Sequence, residues 1–222
     1  MNKQFIITED GSQTIYLPEL DEHYHSTHGA VQESVHVYIQ AGFLQLTRSE
    51  INILEIGFGT GLNAFLTYGY AQKSSQIINY YSIEKFPLSF SEYEKLNYPE
   101  SIFPEYAEVF RKIHDSHWNE TFELSPNFRL TKIQADLTEY QFDKQRKFDL
   151  VYYDAFAPGK QPEMWTDALI SKVSGSIATG GILTTYCAKG TVRRAFAASG
   201  LSMERLPGPP GKKEILRGKK AF

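Results

Sequence analysis

Strands alternating with helices from residue 51 onward predict an α/β fold on a mostly parallel sheet. Two segments and their spacing carry this reading. Residues 51–56 form an apolar run that breaks into Gly57, Gly59 and Gly61. About a hundred residues later, residues 148–153 form a second apolar run that ends at Asp154 and a loop of aromatic residues and prolines. In an open parallel sheet, ligands lie beyond the carboxyl ends of the strands. Both segments therefore aim polar residues at one crevice.

The elements follow in order. Residues 5–17 read as a hairpin, two β-branched runs around the turn pair Asp10-Gly11. After Pro18 a polar loop spans 21–29, and Val31, Val35, Tyr38, Ile39 and Phe43 recur at helical spacing from about 30 to 46. The periodicity then predicts a strand at 51–56, a helix at 61–72, a strand at 79–84 and a helix at 87–97. Pro99, Pro104 and Pro126 bracket an inserted helical piece at 98–127 that is rich in aromatic residues. Strands at 128–134 and 148–153, a helix at 163–176, a strand at 181–187 and a helix at 190–199 come next. Two strands around the stiff Pro207–Gly211 segment close the chain as an antiparallel edge on the parallel sheet. No linker interrupts this order, so residues 1–222 are expected to form one domain, with 1–47 as an N-terminal extension.

Hydrophobic content of 41% with 22% charged residues is that of an ordinary globular protein. No apolar run approaches the roughly 20 residues of a membrane span, and the first ten residues lack a secretory segment. Cys187 is the single cysteine, which excludes an internal disulfide; a cytoplasmic location is expected. The net charge of −3 conceals an uneven distribution. Residues 189–222 carry nine Lys/Arg against two acids, while residues 1–188 carry fourteen against twenty-four. A basic end on an acidic body suits a phosphate-bearing partner, or is a solvated surface.

The glycines after Ile56 allow a tight turn, close approach of a ligand and exposed amides at a helix start. A dinucleotide fingerprint would need a third glycine at position 62, which is Leu62. Glu84 ends the next predicted strand, where a carboxylate can accept both hydroxyls of a ribose, or is an exposed strand-end acid that caps a helix. Asp136 follows the third strand and reads as a ligand contact or a turn cap. Asn63 caps the helix, faces solvent or contacts the ligand, and Glu33 closes the pocket or faces solvent. His23, His25 and His28 lack a dense Cys/His partner set, so no metal site is expected.

Gly57-Phe-Gly-Thr-Gly61, preceded by Glu55, resembles motif I of the S-adenosylmethionine-dependent methyltransferases. Together with Asp154-Ala-Phe-Ala-Pro158 and its continuation to Trp165, it closely resembles the methyltransferase domain of the MnmC-type tRNA-modifying enzymes. The likeness extends to Tyr24–Glu33, Thr185–Arg194 and Pro209–Gly218, nearly the whole chain. It implies a Rossmann-like class I fold and S-adenosyl-L-methionine as cofactor, held by Glu55, Gly57, Gly59, Gly61, Asn63, Glu84 and Asp136. It further implies methylation of the aminomethyl group on the wobble uridine in the tRNA anticodon loop. Bifunctional members carry a flavin-dependent oxidoreductase domain for which 222 residues leave no room, so a separate enzyme is expected to supply the aminomethyl precursor.

In that setting Asp154 is the catalytic candidate, an orienting acceptor for the amine and a route for its proton. Phe156 and Trp165 are candidates to stack on a splayed base or to pack beneath the loop. Lys160, Arg193, Arg194, Lys212 and Lys213 are candidates for phosphate contacts or solvated charges. Two further readings stay open, a methyltransferase acting on a small-molecule amine and a non-catalytic nucleotide-binding module.

Overall fold

The computed structural model describes residues 2–221. The N-terminal hairpin forms as β1 (Gln4–Ile7) and β2 (Gln13–Leu17), extended by β3 (Glu22–His23) into a small antiparallel sheet. Asp10 in its turn is held by Ser12 and Thr8 and accepts the Gln32 amide at 2.9 Å. That bond fixes the hairpin to α1 (Ala30–Ser34), which runs directly into a π-helical turn at Val35–Gln40.

Among the described residues the main sheet has eight strands. β4 (Glu50–Ile56), β5 (Ile77–Glu84), β7 (Phe128–Gln134), β8 (Phe148–Tyr153) and β9 (Ile177–Thr185) are mutually parallel. The antiparallel C-terminal edge forms as expected from β10 (Leu201–Pro207) and β11 (Glu214–Lys220), with β11 inserted beside β9. With β6 (Thr121–Ser125) at the edge beside β7, the order β10-β11-β9-β8-β4-β5-β7-β6 has its switch point between β4 and β8. Chain after β4 winds toward β5 and chain after β8 winds toward β9, which opens a crevice at the carboxyl ends of β4 and β8.

The two faces of the sheet follow the period-2 alternation of the strands. Ile53, Tyr80 and Tyr152 face α2 (Leu62–Ala71), α5 (Ala107–Asp115) and the N-terminal extension. Leu54, Ile83 and Tyr153 face α6 (Asp167–Gly175) and α7 (Gly190–Ala198). Every residue of β8 is buried, as expected for a strand covered on both faces.

Two expectations need correction. The helix expected at 87–97 is reduced to α3 (Phe90–Tyr93): the capping box of Ser89 and Glu92 sets its start, and the chain leaves the helix well before Asn97. The insertion contains α4 (Tyr98–Ile102) and α5 but also a strand, β6 (Thr121–Ser125), antiparallel to β7. β6 is an edge with mostly exposed side chains, so it carries little apolar alternation for periodicity to detect. Among the described residues no helix is long and apolar enough to cross a membrane.

Candidate active site

β4 ends at Ile56 and the chain must turn at once to begin α2. Gly57 and Gly59 have φ of 88° and 50°, in the left-handed region that a side chain disfavours. Space is restricted too. A Cβ on Gly57 would lie 2.7 Å from the Asp154 carbonyl oxygen, and one on Gly59 would lie 3.0 Å from the Tyr24 ring. The acid ending β5 is fastened across this turn: Glu84 Oε2 accepts the Gly59 amide at 3.0 Å and Oε1 accepts the Phe86 amide at 2.8 Å. The insertion supports the turn from behind. His114 Nε2 lies 3.1 Å from the Thr60 carbonyl oxygen, which can only accept, so Nε2 carries the hydrogen. Burial pushes this imidazole's pKa down to about 3, which keeps it neutral.

Asp154 leaves β8 beside the same turn, its amide donating to the Ile56 carbonyl at 3.0 Å. Its side chain is held at both oxygens. The Tyr38 hydroxyl donates to Oδ1, and Asn63 Nδ2 donates to Oδ2 at 2.8 Å. Burial pushes the carboxyl up to about 7, opposed by these two hydrogen bonds and reinforced by the nearby Glu33 charge. Near neutral pH the group is thus poised between carboxylate and acid.

A cavity of about 1100 Å³ joins these parts. Strand order sets its course, from Asp136 after β7, past Glu84 and the glycine turn, to Asp154 and Phe156 after β8 and Tyr186 after β9. Asp136 accepts Lys85 Nζ at 2.7 Å and the Thr138 hydroxyl at 2.6 Å, which hold its pKa down to about 2. Glu33 and Lys212 line the far end, with Lys212 Nζ 3.0 Å from Glu33 Oε2 and 4.6 Å from the centre of the Tyr186 ring. Glu33 Oε2 is engaged by this salt bridge. Lys160 lines the rim and pairs with exposed Asp21 at 3.3 Å.

The cavity thus gathers Gly57, Gly59, Glu84, Asp136, Asp154, Phe156, Glu33, Lys160 and Lys212 from the sequence reading. Five other residues lie elsewhere. Gly61 faces His114 as the first residue before α2, behind the turn. Glu55 is fully buried beneath the turn, where Ser82 donates to it at 2.6 Å, and it does not reach the cavity. Asn63 stands behind Asp154 rather than beside a ligand. Trp165 is buried, donating to the Phe156 carbonyl at 2.7 Å and packing 5.0 Å from the Tyr153 ring, so it is not free to stack on a base. Arg193 lies on α7, away from the lining.

Sequence reasoning missed three tyrosines. Tyr38 appeared as one more apolar helical position, yet its hydroxyl grips Asp154. Tyr24 meets Phe156 edge-on at 5.1 Å over the glycine turn. The Tyr186 hydroxyl donates to the Ala155 carbonyl at 2.9 Å. The available signal was that each carries a hydroxyl in an otherwise apolar stretch or borders a motif.

Residues 96–221, more than half of the chain, match the family described as S-adenosyl-L-methionine-dependent methyltransferase. The chain belongs to that family. It is similar to the tRNA 5-methylaminomethyl-2-thiouridine biosynthesis bifunctional protein MnmC of Leptospira borgpetersenii serovar Hardjo-bovis (strain JB197), 32% identical over 213 residues, which cover 90% of this chain and 32% of that protein. The protein of the same description from Pseudomonas savastanoi pv. phaseolicola (strain 1448A / Race 6) is 30% identical, covering 88% of this chain and 31% of its own length. The chain therefore spans about a third of the length of these curated relatives. The crystal structure of MNMC2 from Aquifex aeolicus superposes with a TM-score of 0.82 at 24% identity, over all of this chain and 71% of that one, and shares its fold. Membership of this methyltransferase family identifies the chain as an enzyme that uses S-adenosyl-L-methionine.

Proposed function

We propose that this methyltransferase acts on the primary amine of a 5-aminomethyl group on the wobble uridine of tRNA. The single observation that carries the chemistry is Asp154. It lies next to the glycine turn and lines the cavity, with each oxygen already held by one fixed donor. The identity of the acceptor is supported by the relatives' printed role in tRNA 5-methylaminomethyl-2-thiouridine biosynthesis.

The residues present suit the cofactor. Each oxygen of Glu84 accepts one backbone amide and keeps a lone pair for one of two adjacent ribose hydroxyls. Gly57 and Gly59 leave backbone bare along the cavity wall. Asp136 stays ionised beside Leu137 and is the acceptor assigned to the adenine amino group. Pockets for small ligands usually span about 300–1,000 Å³. The cavity here, about 1100 Å³, has space for the cofactor and an acceptor arm together.

When bound, S-adenosyl-L-methionine supplies a methyl group activated on positively charged sulfur. The chain's own residues prepare the acceptor. A protonated amine has no lone pair, so a proton must leave, and a carboxylate raised to about 7 is matched to receive it near neutral pH. Tyr38 and Asn63 fix the plane of that carboxylate. Phe156 and Tyr24 form an apolar wall that favours the neutral amine over the ammonium. Holding the reactants in line can lower the barrier by roughly 7–11 kcal/mol in favourable cases.

For the nucleic acid, Phe156 and the 58% exposed Phe86 at the cavity mouth are the stacking surfaces. Lys160 and Lys212 at the rim, with exposed Lys213 and Arg194 beyond it, are the phosphate contacts. This reading places the enzyme in the cytoplasm, acting after the reaction that supplies the aminomethyl group.

The test is incubation with methyl-labelled S-adenosyl-L-methionine and tRNA carrying 5-aminomethyluridine, followed by nucleoside analysis. Label in 5-methylaminomethyluridine is expected. Label on another base, or on a free small amine in preference to tRNA, rejects the acceptor assignment.

A further inference from the structure

Glu55 lies two residues before Gly57 on β4, where it has no exposed surface. Ser82 donates to its Oε2 at 2.6 Å, whereas Oε1 has no hydrogen-bond partner. Asn63 Oδ1 is buried without a partner as well, and Asn63 stands within bonding reach of the Glu55 carboxyl. The amide of Asn63 cannot be turned round to relieve this, because its Nδ2 donates to Asp154 Oδ2 at 2.8 Å. Two buried acceptor oxygens on neighbouring side chains, each without a donor, are unfavourable, and one hydrogen shared between them would satisfy both. The groups that act on Glu55 are Ser82 and Tyr80 from β5, Asn63 from α2 and Asp154 after β8. Asp154 carries a like charge, and no cation is among these groups. Burial, the largest influence, holds the Glu55 carboxyl well above the usual carboxylate range.

We infer that Glu55 is a positioning residue for Asp154: its carboxyl O–H donates from Oε1 to Asn63 Oδ1, which commits the Asn63 amide N–H to Asp154 Oδ2. The Tyr80 hydroxyl, also buried without a partner and in reach of Glu55, completes the group by donating to the same carboxyl. Asp154 is then gripped from two sides, by Tyr38 out of the N-terminal extension and by a Ser82–Glu55–Asn63 chain out of the sheet. The acid that precedes the glycine turn thus acts on the acceptor side of the site rather than on the cofactor. The inference rests on the reading of Asp154 as the group that receives the acceptor's proton.

Glu55→Gln and Glu55→Met separate the possibilities. Glutamine keeps the shape and offers an N–H to Asn63 Oδ1 together with an acceptor for Ser82. It should leave kcat, the pH profile and the affinity for S-adenosyl-L-homocysteine, measured by calorimetry, as they are in the parent. Methionine keeps the length but offers no donor. It should lower kcat by about 10- to 100-fold through misplacement of Asp154, move the acid limb of the pH profile and leave S-adenosyl-L-homocysteine affinity unchanged. Loss of that affinity in the glutamine variant would show an ionised Glu55 serving the cofactor and would overturn the inference. Infrared difference spectroscopy of parent against the glutamine variant, at a pH well above 7 where Asp154 is ionised, needs no acceptor and so stands apart from the tRNA reading. A protonated-carboxyl carbonyl band present in the parent and missing in the variant is expected. Its absence from both overturns the inference even if the methionine variant does not fold.

Discussion

The Tyr38 hydroxyl donates to Asp154 Oδ1 across 116 residues of chain, from a π-helical turn in the N-terminal extension to the end of a central strand. π-Helical turns are rare and concentrate at functional sites. This one ties an element outside the parallel sheet to the carboxyl proposed to face the acceptor. Tyr38→Phe removes a donor that stabilises the carboxylate, so the pKa of Asp154 rises further above about 7. If the ionised form receives the proton, as proposed, activity is lost as pH falls through that pKa. The acid limb of kcat/KM against pH should therefore move to higher pH in the variant, with cofactor affinity unchanged. A limb that stays in place separates Tyr38 from the chemistry.

Asp154→Asn should abolish methyl transfer and yet stabilise the fold in alkaline solution. The folded-state pKa of Asp154 is raised from 3.8 to about 7. Its contribution to stability is therefore fully present below the unfolded value and lost as pH rises through the folded one. Asparagine avoids the buried charge, and the Tyr38 hydroxyl can accept from its amide as readily as it donates. Denaturant unfolding of parent and variant should agree near pH 4, where the aspartate is close to neutral in the folded chain, and diverge above pH 7 in the variant's favour, on the order of a few kcal/mol. Equal stability at both ends of the range rejects the raised pKa.

Trp165→Phe should act on stability and not on nucleic-acid binding. It removes the donor that satisfies the Phe156 carbonyl, leaving that oxygen without a partner at a cost of about 1–3 kcal/mol. Equilibrium unfolding measures this, and tRNA affinity at fixed salt should match the parent. A weakened complex with unchanged stability restores Trp165 as a base-stacking residue.

Gly57→Ala meets both a φ of 88° and the Asp154 carbonyl 2.7 Å from the new carbon. The Asp154 loop must shift, so the substitution should cost about 1–3 kcal/mol of stability and lower methyl transfer by roughly 100-fold. Wild-type turnover in this variant removes the close approach of the two segments from the mechanism.

Lys160, Lys212 and Lys213 should each contribute to the salt dependence of tRNA binding, because neutralised phosphates release counterions. Replacing Lys212 and Lys213 together should flatten the slope of log K against log salt by up to about two. Lys212 also faces Glu33 at 3.0 Å, so its removal leaves a carboxylate unopposed inside the cavity. The double variant should bind tRNA more weakly than the loss of two phosphate contacts explains. An unchanged slope removes both from the interface.

The parallel strands, the glycine turn and the Asp154 loop were legible in the sequence because local rules govern them. A strand buried on both faces must be a continuous apolar run, and a chain that reverses at its end without a side chain must use glycine. Those rules place Gly57, Glu84, Asp136 and Asp154 at strand ends, and the parallel order places strand ends together. β6 was not legible, since an exposed edge strand has no apolar face to reveal it. The short α3 was missed because helical spacing continues past Tyr93 in the sequence while the chain itself leaves the helix there.

By itself, then, the sequence determined the fold class, the crevice at the carboxyl ends of β4 and β8, and the acids that line it, because each depends on residues close together in the chain. Tertiary structure alone decided which polar groups meet. Asn63 turned from the cofactor to Asp154, Glu55 sank beneath the turn, Trp165 went under its own loop, and Tyr38 reached the site from the N-terminal extension. A hydrogen bond is specified by the position and direction of both partners. For residues 91 and 116 positions apart along the chain, those directions are set by how the helices and the extension settle on the sheet, which no local pattern encodes.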